Sequence, residues 1–74
     1  MPRPPPISSQ EAVRAFEKAG WTAARQRGSH VVLTRPGSIL TVSIPLHSEL
    51  GPGLLRDQIR KAGLTVDEFI ALLQ

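Results

Sequence analysis

Apolar positions along the chain change period twice, and the changes mark out its elements. Ala12, Val13, Phe16 and Ala19 recur at helical spacing. Ser8 and Glu11 precede them at the spacing of a capping box, in which a hydroxyl and a carboxylate close the first exposed N–H groups of a helix. Gly20 is the expected stop. Trp21 follows at once and reads either as a plug for one end of the core or as a stacking surface for a base. A lone tryptophan in so small a domain is more often core.

Residues 22 to 44 read as three strands. Thr22 to Gln26 is weakly patterned. Gly28-Ser29 is a turn signal, and His30 to Arg35 is β-branched and apolar at its centre. Pro36-Gly37 is a second turn signal. Ser38 to Ile44 alternates, with Leu40, Val42 and Ile44 on one side and Ile39, Thr41 and Ser43 on the other. Short connections imply antiparallel hairpins, and alternation implies one buried face and one wetter face.

Pro45 closes the third strand, and Pro52 suits the first turn of another helix. Leu55, Ile59 and Ala62 give that helix its stripe, and Gly63 ends it. Thr65 and Glu68 form a second capping box ahead of Val66, Phe69, Ile70 and Leu73 at i, i+3, i+4 and i+7. The last two segments are either separate helices or one bent helix. The order α-β-β-β-α(α) predicts an α+β two-layer sandwich, with helices on one face of a three-stranded antiparallel sheet. Residues 1–7, which carry four of the seven prolines, read as a flexible arm, and residues 8–74 as a single domain.

Composition narrows the chemistry. An apolar fraction of 41% over 74 residues supports one domain with a small core. There is no cysteine, which removes disulfides, thiolate metal sites and cysteine nucleophiles. No apolar run approaches the roughly 18 residues of a membrane span, and the proline-rich start lacks the apolar stretch of a signal peptide. The expectation is a cytoplasmic protein with no membrane contact. Nine basic residues against six acidic ones give a net charge of +3, and seven of the nine are arginine. Arginine forks onto phosphates and stacks on bases, so the balance points towards nucleic acid, although a solvated arginine-rich surface would look the same.

Candidate chemical groups are few. Two histidines without a third ligand make a poor metal site, so no metal and no cofactor are expected. Gly51-Pro52-Gly53 lacks the Lys-Ser/Thr that follows a phosphate-binding loop. Glu11 and Glu68 already serve as caps. His30 is the best remaining candidate. If Val31 and Leu33 pack on the helices, alternation turns His30, Val32 and Thr34 to the open face of the sheet. Arg25 and Arg27 lie across the turn. A histidine beside arginines suits proton transfer at a phosphodiester whose charge the arginines hold. A lone strand histidine is also a common structural residue. His47, in the loop after Leu46, reads as an auxiliary acid/base group or as an ordinary loop residue.

Several segments, in order, carry a resemblance. They are Ala19-Gly20-Trp21, Arg25-Gln26-Arg27-Gly28-Ser29-His30, Arg35-Pro36-Gly37, Val42-Ser43-Ile44-Pro45-Leu46-His47, Gly53-Leu54-Leu55-Arg56, and Lys61-Ala62-Gly63-Leu64-Thr65 with Glu68-Phe69. From Ile7 to Leu73 the chain resembles the HicA (YcfA-like) family, the small toxins of HicA–HicB toxin–antitoxin systems. The resemblance implies a fold like that of a double-stranded-RNA-binding domain. It implies an mRNA interferase that cuts RNA and arrests translation, with the Gly-Ser-His histidine, here His30, as the catalytic group. It implies a HicB-like antitoxin as partner, covering the active site. The chain departs from the family pattern at Leu54, where threonine is frequent, and at Gln58, where an aliphatic residue is frequent.

The leading expectation is therefore a metal-independent endoribonuclease toxin with His30 as general acid or base. RNA contacts are expected from Arg25, Arg27, Ser29, Arg35, Arg60 and Lys61. The competing readings are a non-catalytic double-stranded-RNA-binding-like module and a degenerate toxin kept for a regulatory complex.

Overall fold

A computed structural model describes residue 4, residues 6–46 and residues 50–74. The elements run α1 (Ser9–Lys18), β1 (Thr22–Arg27), β2 (His30–Thr34), β3 (Val42–Pro45), α2 (Pro52–Lys61) and α3 (Val66–Leu72). The strands form one antiparallel sheet in the order β1-β2-β3. This is the expected α+β order, and the last two helices are separate.

Both capping boxes form. Ser8 N–H and hydroxyl donate to Glu11 Oε1 at 3.0 and 3.1 Å, and Glu11 N–H returns to the Ser8 hydroxyl at 3.2 Å. Thr65 and Glu68 repeat the exchange at α3. α1 ends where Gly20 takes φ +97°, a left-handed conformation open to glycine. Trp21 N–H then reaches back to Phe16 O and Gly20 N–H to Glu17 O, which satisfies two orphan carbonyls. α2 ends in the same way at Leu64 and Gly63.

The helices cover one face of the sheet. Leu33, Val42 and Ile44 are fully buried against Phe16, Leu55, Ile59 and Phe69. The Phe16 and Phe69 rings lie 4.9 Å apart at 44°, joining α1 to α3. Trp21 is core, and Arg35 lies over its ring at 4.9 Å. Ile7, the last residue of the expected arm, also packs in the core, and its carbonyl accepts from Leu50 N–H at 3.0 Å. Residues 1–3 and 5 of that arm lie outside the described residues.

The third strand is shorter than the alternation predicted. Its pairing with β2 begins at Leu33↔Val42, and residues 38–41 lie outside the ladder. Ile39 is 99% exposed and Leu40 half exposed. The Pro36-Gly37 turn, closed by Ser38 N–H on Arg35 O, releases the chain into a loop instead of a tight hairpin. Gln58, the departure from the family pattern, is buried, and its Oε1 accepts Ser43 N–H at 2.9 Å. A polar side chain there satisfies an edge-strand donor that an aliphatic one would leave bare. Among the described residues, no helix is long and apolar enough to cross a membrane.

Two outcomes follow. Phe16→Ala should lose about 3–5 kcal/mol in denaturant unfolding, comparable with the whole stability of a domain this small. The Ser8 backbone N–H, then its hydroxyl, hold the Glu11 carboxyl below its usual 4.5. A lowered native pKa stabilises the fold above about 4.5 and loses that effect as pH falls through the native value. The stability gap between wild type and Glu11→Gln should therefore be constant near neutrality and close on acidification.

Candidate nucleic-acid interface

The β1–β2 connection is two residues long, with Arg27 and His30 directly paired on either side of Gly28-Ser29. Gly28 takes φ +57°, as the first central residue of a tight hairpin turn requires. On the other side of β2, His30 pairs with Pro45. Leu46 N–H donates to Ser29 O at 2.6 Å, and Ser9 Oγ donates to Pro45 O at 2.8 Å. β2 is the central strand, so the backbone that carries His30 is held from both flanks and braced by the first turn of α1.

Register decides which side chains share a face. Val31 and Leu33 pair with Ile44 and Val42, and these four form the sheet's share of the helix-side packing. His30, Val32 and Thr34 therefore turn to the open face. Their β1 partners are Arg27, Arg25 and Thr22. The register slips by one residue between Ala23 and Arg25. The bulge absorbs Ala24 and keeps both arginines on the face of His30, while Ala23 and Gln26 oppose the core-facing Leu33 and Val31. Arg27 and His30 are direct neighbours, with Cα atoms about 5.5 Å apart for a hydrogen-bonded pair. Arg25 is the diagonal neighbour, at about 7–8 Å.

His30, Arg25 and Arg27 are all exposed. Among the described residues, no hydrogen bond or ion pair engages these three side chains. No strand carries an aspartate or glutamate; the described acidic residues all lie on the helices. The open face thus presents uncompensated positive charge around one imidazole. Val32, at 9% exposure, gives this face a small apolar floor outside the main core.

The other expected contacts are divided. Ser29 is exposed in the turn beside His30. Arg35 is drawn away: its guanidinium sits over Trp21, and its Cδ would lie 3.7 Å from a Cβ at Gly20. Arg60 and Lys61 are exposed on the last turn of α2, in the helical layer. His47 lies outside the described residues. Thr34 and Ser43 also belong to the open face, as the alternation in each strand indicates and the register confirms. Among the described residues, no three His, Cys, Asp or Glu side chains gather as a metal site.

No individual curated protein matches the chain. A family model described as the HicA toxin of bacterial toxin–antitoxin matches residues 9–64, from the start of α1 through the stop of α2, with the whole hairpin inside it. That match spans well over half of the 74 residues, and the chain belongs to the HicA toxin family.

Proposed function

We propose that this toxin is an endoribonuclease and that the open face of its sheet is where RNA is held and cut. The supporting observation is the placement of His30, Arg27 and Arg25 together on the one sheet face that no helix covers, on strands without a carboxylate. Arg27 and Arg25 hold the scissile phosphate and its neighbour. The nucleophile is the ribose 2′-hydroxyl of the substrate. Its oxygen bonds to phosphorus as the bond to the 5′-oxygen breaks, which leaves a cyclic phosphate and a free 5′-hydroxyl. One proton leaves the 2′-oxygen and one reaches the 5′-oxygen. His30 performs one of these transfers, as base or as acid. Because attacking and leaving groups both belong to the RNA, the step needs only proton transfer and charge stabilisation, and no metal.

Phosphate contacts dominate such binding and make it salt-dependent. Phe16, Trp21 and Phe69 are buried, so base stacking on their rings adds nothing on this face. The antitoxin of the pair, a HicB-like protein, neutralises the toxin by covering this face.

In EDTA, purified wild type should leave cyclic phosphate ends on RNA. His30→Ala should cut about 10²–10⁴-fold more slowly while remaining folded. Cleavage by His30→Ala at the wild-type rate would remove the histidine from the mechanism. No cleavage by folded wild type would favour a non-catalytic binding module or a degenerate toxin. Arg27→Ala should weaken RNA binding and lower the magnitude of its log–log salt slope by about 0.7–0.9. Lys61→Ala, on the helical layer, should leave both nearly unchanged.

A further inference from the structure

The two edges of the sheet are finished differently. At β3, Gln58 of α2 takes up the outward Ser43 N–H. At β1, all six residues are exposed. Among the described residues, no backbone hydrogen bond from Thr22–Arg27 reaches anything but β2. In a two-residue hairpin the flanking residues form the closing hydrogen-bonded pair, so the backbone groups of Arg27 point at His30. Those of Gln26 then point away from the sheet. The bulge at Ala24 interrupts any regular ladder added outside β1, and the usable edge is the stretch beside Arg25–Arg27.

We propose that this free β1 edge is where the antitoxin docks, by adding an extended acidic strand to the sheet. Charge selects this occupant. A second copy of the chain would set Arg25 and Arg27 against their own counterparts, a costly like-charge pairing across strands. A strand with carboxylates on the open face sets them beside both arginines. Residues on its other side turn to the helix side of the sheet, beside Ala23 and Gln26 of β1. The docking segment therefore carries acidic residues at alternate positions, those on the open face. Its carboxylates take the positions that RNA phosphates need, and the toxin is silenced by competition for Arg25 and Arg27. That consequence rests on the RNA-cutting role above; the docking itself does not.

The test is titration of purified cognate antitoxin into the full chain and into Gln26→Pro, read by calorimetry, with amide exchange followed on the wild-type complex. Proline is tolerated on an edge strand where the N–H faces solvent, but it removes the donor and obstructs an added strand. Gln26→Pro should bind antitoxin at least tenfold more weakly, and any RNA cleavage it retains should escape inhibition. The Gln26 amide should exchange freely in the isolated chain and slowly in the complex. If Gln26→Pro does not fold, the wild-type exchange result decides alone. Wild-type affinity of a folded Gln26→Pro would overturn the proposal. So would a Gln26 amide that antitoxin leaves unprotected, or that is already protected by self-association or only by RNA. If the wild type cuts no RNA, the cleavage reading fails, while affinity and exchange still decide where the antitoxin docks.

Discussion

Phe16 and Phe69 meet at 4.9 Å across the centre of the molecule, and this contact ties the first helix to the last. With three aromatic residues in the whole chain, all of them are spent on the core, and they build it on one side of the sheet only. A three-stranded sheet with helices on one face leaves its other face to solvent. What is placed there depends on register, and register here depends on which residues of β2 and β3 are drawn under the helices. Leu33, Val42 and Ile44 are drawn under; His30 is therefore turned out. The helical layer and the open basic face are two consequences of one packing decision.

The segregation of charge follows the same division. The described carboxylates sit on helices, where Glu11 and Glu68 also close N-terminal donors. The strands carry arginine alone, and β1 turns two of its residues towards His30 because of a single bulged alanine. A uniform alternation through β1 would have put Thr22 and Arg25 on opposite faces. The arginine over Trp21 shows that a basic residue in the right stretch of sequence need not join the cluster around His30: a buried ring within reach offers a competing partner.

Much of this was legible in the chain. Capping boxes and glycine stops act locally, so Ser8, Gly20, Gly63 and Thr65 announced both ends of α1, the end of α2 and the start of α3. The turn at Gly28-Ser29 and the apolar Val31 and Leu33 placed His30 on the open face. Long-range features were harder to see. β1 has no apolar stripe, because an edge strand with six exposed residues buries too little to leave a pattern. Ile39 and Leu40 alternate with their neighbours but have no ladder partner, and periodicity cannot register that absence. Gln58 stands out against an aliphatic family pattern because its value lies in one hydrogen bond to a strand 15 positions away. Likewise, nothing in the composition separates Arg35, Arg60 and Lys61 from Arg25 and Arg27. Only the layers of the fold do.

The most direct measurement is a residue-resolved NMR titration of the His30→Ala chain, which cannot consume its ligand by the proposed route, with short RNA at low salt. If the open face of the sheet is the RNA surface, the largest amide and guanidinium shifts fall on Arg25, Arg27, Ser29 and their β2 partners, while Arg56, Arg60 and Lys61 stay nearly still. Shifts concentrated on α2, with the β1–β2 hairpin unmoved, would contradict that assignment and put RNA on the helical layer.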